Sequence, residues 1–180
     1  MTRFSVIKKM TFTAVCMALC VVLPIAFHAI PNGGPMLLPM HIPVLLCGLI
    51  CGWGYGLLCG FVGPLLSSVM TSMPPAAVLP GMMVECAVYG AVAGLMMRMV
   101  RTGSAAKDLY ISRPVAMLAG RVFSGIVKAW ILTPGLSLHV WIMASFVTAL
   151  PGIAVPLVLL PLLVVLLEKA RVIPPRYQAE

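Results

Sequence analysis

The sequence predicts an all-α integral membrane bundle of six transmembrane helices, with both termini cytoplasmic. Three observations carry this. First, 62% of the 180 residues are hydrophobic and only 9% are charged, against a globular norm of about 25%. Twelve Lys/Arg and four Asp/Glu cannot cover a soluble domain of this size, and disordered chains are poor in apolar residues. Second, apolar runs recur at the length of about 20 residues that a ~30 Å hydrocarbon core demands. Third, the cations cluster at the ends of these runs, which is the pattern of membrane topology. The net charge of +8 is therefore no sign of a nucleic-acid partner, which would need a basic face on a polar scaffold. Residues 1–180 read as a single integral membrane domain.

The six runs fall at roughly 6–30, 38–53, 55–72, 78–99, 114–133 and 139–167. Arg3, Lys8 and Lys9 ahead of the first run resemble the start of a signal peptide. That run is long, however, and ends in Pro31-Asn32-Gly33-Gly34 without a small-x-small cleavage site, so it reads as a retained helix. The second run is short and the third rich in glycine, a pair that also fits one re-entrant hairpin. In the sixth, Pro151, Pro156 and Pro161 each remove a backbone donor and invite a kink. Its length, ~43 Å as a straight helix, implies that it is bent, tilted or partly outside the hydrocarbon.

Orientation follows from the cations, because Lys and Arg accumulate in cytoplasmic flanks. Arg3, Lys8 and Lys9 precede the first span, and Arg98, Arg101, Lys107 and Arg113 surround the connection between the fourth and fifth. Lys169, Arg171 and Arg176 follow the sixth. The opposite connections, 31–37, 73–77 and 134–138, carry no charged residue. Six spans then leave both termini on the cytoplasmic side.

Lipid gives no hydrophobic drive for helix association, so close packing depends on small residues. Gly56, Gly60, Gly63 and Ser67 form one stripe on the third span, Gly90 and Gly94 another on the fourth, and Gly48 and Gly52 a third on the second. Ala14 and Ala18 repeat the spacing on the first span. Cys16, Cys20, Cys47, Cys51, Cys59 and Cys86 all lie inside predicted spans and read as small packing residues, since disulfide frameworks sit in loops of secreted domains. No metal site is expected.

Charges inside a bilayer are expensive and face the bundle interior or a cavity. Glu85, Arg121 and Lys128 qualify. Glu85 falls ~10 Å below the outer start of its span and Lys128 ~8 Å below the outer end of its own, so the two can pair, with Arg121 a further ~10 Å down. Arg121, Ser124 and Lys128 share one face, and Glu85 and Tyr89 share another. Together they outline an outward-opening polar pocket; a salt bridge that only fixes helix register is the alternative. Asn32, His41 and His139, with His28, Trp130 and Trp141, lie toward the same outer side. No nucleotide loop, nucleophile elbow or H-E-x-x-H appears. The chain reads as a binding or transport protein and not an enzyme.

Several motifs stand out: Leu38-Pro39-Met40-His41-Ile42-Pro43, the turn Gly52-Trp53-Gly54-Tyr55-Gly56, Gly63-Pro64, Met73-Pro74-Pro75, and the run from Pro80 through Glu85 and Tyr89 to Gly90. Together they resemble the substrate-binding S components of energy-coupling factor (ECF) vitamin transporters. The resemblance implies high-affinity capture of a water-soluble vitamin or related micronutrient precursor by one subunit of an ABC importer in the bacterial cell (cytoplasmic) membrane. It implies a transmembrane scaffold subunit and two ATPase subunits as partners, with ATP used by them and no cofactor in this chain. It further implies toppling of the subunit in the bilayer during transport. Ala14 and Ala18 match the small-residue motif by which first helices of the family dock on the scaffold. The family's binding sites lie in the outer half, where Asn32, His41, Glu85, Tyr89, Arg121, Lys128 and His139 fall. Metal-specific relatives begin with Met-His, whereas Met40-His41 is internal, which makes metal transport the weaker reading. Outside the resemblance, a small structural or regulatory membrane protein with no transported ligand is the alternative. An ion-coupled carrier would need inverted repeats, and none is found.

Overall fold

The structure is a computed structural model and describes residues 5–27, 39–127, 139, 143 and 150–173. Six helices order these residues: α1 (Val6–Phe27), α2 (His41–Cys51), α3 (Trp53–Thr71), α4 (Leu79–Met99), α5 (Ala105–Val127) and α6 (Leu150–Lys169). No strand occurs among the described residues. Val6–Ala26, Trp53–Thr71 and Leu79–Met99 are long and apolar enough to cross a membrane.

Of the remaining helices, α5 begins nine residues before its predicted run, whereas α2 lies within its own. With 11 residues, α2 reaches only ~17 Å, about half of a bilayer. Its residues are buried nearly all round, from His41 to Leu49 and again at Cys51, as expected of a helix apolar on every face. It packs against α1, α3 and α4. Gly52 ends it, and here the expected packing stripe is corrected in part: the Gly52 backbone does meet Gly94 of α4, but the space where its own Cβ would stand is open. Gly52 has φ 102 and ψ 173, a backbone that L side chains rarely adopt, and α3 begins at the next residue. A single glycine therefore turns the chain between two helices, its amide bonding to the Gly48 carbonyl (3.1 Å) and its carbonyl to the Gly56 amide (3.0 Å).

The other glycines carry the packing. A Cβ on Gly48 or Gly56 would strike the Gly90 carbonyl, and one on Gly60 the backbone of Cys86. So α2, α3 and α4 meet backbone to backbone. One turn further along α3, Gly63 faces Cys20 of α1 instead, which splits the predicted stripe between two partners. The opposite side of α3 (Leu57, Leu58, Phe61, Leu65, Leu66, Val69, Met70) is exposed and apolar, as a lipid-facing surface must be. All six cysteines are free and buried, and no group of His, Cys, Asp or Glu among the described residues is placed to hold a metal ion.

Arg113 is a second correction. Its charge places it among the cytoplasmic flank residues, yet its side chain is fully buried two turns into α5, which starts earlier than predicted. Its Nε donates to the Leu109 carbonyl at 2.8 Å, and its Nη1 donates to the carbonyls of Pro156 (3.1 Å) and Leu157 (2.9 Å) on α6. The cause lies in α6. Pro161 has no N–H, so the Leu157 carbonyl lacks its helical donor four residues on. Nearby, Asp108 is also fully buried and receives the Thr102 amide and hydroxyl, both at 2.8 Å, tying the α4–α5 connection to the start of α5.

Candidate functional site

One group of interior polar side chains converges on α4, which packs against both α2 and α5. On α4, Glu85 and Tyr89 lie one turn apart on one face, and the buried Tyr89 hydroxyl donates to Glu85 Oε1 at 2.7 Å. From α5, the Ser124 hydroxyl donates to Glu85 Oε2 at 3.1 Å. The carboxylate is thus held at both oxygens by neutral hydroxyls on two helices. Hydrogen bonds to an ionised group are the strong ones, and a carboxylate in an apolar surround requires them.

His41, the first residue of α2, is buried at 1% exposure. Its Nε2 lies 3.8 Å from Glu85 Oε1 and 4.0 Å from Cys86 Sγ. Its ring is tilted against Tyr89, with centroids 5.0 Å apart. Arg121 is buried at 5% exposure and lies within electrostatic reach of the Tyr89 phenol. A carboxylate, a guanidinium, an imidazole and two hydroxyls therefore share one place in a mostly apolar bundle.

Of the predicted site residues, the structure brings together His41, Glu85, Tyr89 and Arg121. His139 is exposed. Asn32 and Lys128 lie outside the described residues, as do His28, Trp130 and Trp141, so the expected Glu85–Lys128 pair does too. The antiparallel register of α4 and α5 sets residue 85 against 124 and residue 89 against 120. Glu85 is therefore level with Ser124, one turn deeper on α5 than the depth arithmetic implied, and Arg121 belongs to its cluster. Ser124 was legible as part of the polar face of α5. Gly120, which lies against the Tyr89 ring, was not, because a glycine in a membrane helix signals close packing without saying what packs there. On α1, Ala14 and Ala18 are both exposed.

Fold and cluster define a membrane-embedded helical subunit that keeps a few polar groups in an apolar interior. The family model described as "ECF transporter, substrate-specific component" matches residues 8–164, and the chain belongs to that family. Its members are substrate-specific transport subunits, not enzymes, and work in the membrane with scaffold and ATPase subunits on a small-molecule substrate. Searches of curated proteins and of solved structures return no match.

Proposed function

We propose that this chain is the high-affinity capture subunit of an ECF-type importer for a water-soluble vitamin or related micronutrient precursor. It works in the bacterial cytoplasmic membrane as one six-span substrate-binding unit with both termini cytoplasmic. The scaffold subunit docks at Ala14 and Ala18, two ATPases supply the energy, and the loaded subunit topples to release its cargo inward. The observation that carries the reading is the Glu85 carboxylate, fixed by Tyr89 and Ser124 beside His41 and Arg121. Buried ionisable groups in a membrane interior are functional by default, and these five side chains offer a polar ligand both donors and acceptors. Asn32, Lys128 and His139 complete the proposed site from the outer side.

Native mass spectrometry of the purified protein tests this directly, followed by equilibrium binding of riboflavin, thiamin, biotin, folate, pantothenate, pyridoxine and cobalamin. A co-purifying small molecule, or tight binding of one panel member without ATP, is expected. Absence of both overturns the capture role.

A further inference from the structure

We propose that Gly120 is a positioning residue for the Glu85 carboxylate: its missing side chain is the space that the Tyr89 ring occupies. Three observations meet here. A Cβ on Gly120 would collide with Cδ1 and Cε1 of Tyr89 and come within 3.0 Å of the Glu85 carbonyl oxygen. Tyr89 is fully buried, so its ring has no solvent into which to swing. And Ser124, one turn along α5 from Gly120, reaches Glu85 Oε2 at 3.1 Å, a bond that exists only while α5 lies this close to α4.

The consequence is mechanical. A methyl group at position 120 forces either the ring to leave its slot or α5 to back away from α4. In the first case the Tyr89 hydroxyl leaves Glu85 Oε1, and in the second the Ser124 hydroxyl leaves Oε2. Both routes take one of the two hydroxyl donors away from the carboxylate, and its terminal torsion, broad for an sp³–sp² bond, lets it settle in a different orientation. The acceptor is then no longer held in its wild-type geometry. Other glycines of the bundle, such as Gly63 against Cys20, hold helices together without touching this carboxylate. For substrate the inference rests on reading the cluster as the binding site; for Glu85 itself it does not.

The test is the infrared carboxylate band of Glu85 in detergent-purified protein labelled with [13C]glutamate, isolated by subtracting the spectrum of Glu85→Gln. Gly120→Ala is expected to shift this band as Tyr89→Phe or Ser124→Ala does, while Gly63→Ala leaves it in place. A folded Gly120→Ala protein with the band at its wild-type position overturns the proposal. Should Gly120→Ala not fold, the double variant Gly120→Ala/Tyr89→Val removes the colliding ring and is expected to fold. Its failure to do so also overturns the proposal, because the ring is then not what the glycine accommodates. In parallel, Gly120→Ala should weaken binding of whichever panel vitamin the wild type retains by about tenfold or more, the scale of a lost hydrogen bond to a charged group. A shifted band with unchanged affinity supports the positioning role and removes the cluster from the substrate site instead.

Discussion

Arg113 Nη1 donates to the Leu157 carbonyl at 2.9 Å across the contact between α5 and α6. That carbonyl is the acceptor that Pro161 leaves without a helical donor. The guanidinium also bonds the carbonyls of Pro156 and of Leu109 in its own helix and stacks on the exposed Tyr110 ring, 4.9 Å from its centroid. A buried cation is tolerated here because three carbonyl oxygens replace its water.

Arg113→Met removes the donor but keeps much of the stem volume, and should destabilise the protein by about 1–3 kcal/mol, the cost of stranding a buried acceptor. Pro161→Ala returns an amide to the Leu157 carbonyl. The double variant should therefore lose less than the two single changes combined, with a coupling on the order of 1 kcal/mol. Thermal unfolding in detergent of all four proteins measures this. Strict additivity would separate the arginine from the proline.

Two glycines of neighbouring helices should respond oppositely to the same substitution. Nothing lies within 4 Å of a Cβ built on Gly54, whereas one on Gly90 strikes the backbone of Gly56. Gly54→Ala should raise stability by about 0.5–1 kcal/mol through helix propensity alone. Gly90→Ala should abolish or sharply reduce the folded yield, read as the monodisperse fraction in size-exclusion chromatography. Equal behaviour of the two would mean that the α3–α4 contact is looser than the backbone distances imply.

Bulk added to α1 should separate binding from transport. Ala14→Trp and Ala18→Trp place a large ring on an exposed face, so affinity for whichever panel compound the wild type binds should stay within about twofold, the ordinary range for surface changes. Uptake by cells that carry the complete transporter should fall severely, because close helix contact needs small residues. Unimpaired uptake in both variants would remove the docking assignment.

The membrane class was legible in the sequence because scarcity of charge is a bulk property that no tertiary detail can reverse. That Glu85 and Tyr89 share a face was legible too, since i,i+4 spacing on a helix is local; that they bond to each other was not read. The glycine contacts were readable as stripes but not as partners: the sequence places Gly60 and Gly63 on one face, and only packing sends them to different helices. Arg113 was misread for a related reason. Topology rules treat every flanking cation as solvated, and the proline that makes this one useful lies 48 residues away by number. The meeting of Glu85 with Ser124 depends on how far α5 slides along α4, which no local signal sets.

The half length of α2 has an electrostatic outcome. A helix that crosses the whole bilayer leaves its ends in headgroup water, where the end charges of its aligned peptide dipoles are screened. His41 and the residues after it in the first turn of α2 are buried in the bundle, so the positive end of this helix lies among packed side chains, where a low dielectric preserves its field. His41 stands at that end, and the nearest acidic oxygen it meets is Glu85 Oε1, 3.8 Å away. The truncated helix thus acts as a fixed partial cation toward the bundle's central carboxylate, a counter-charge built from backbone that no titration removes.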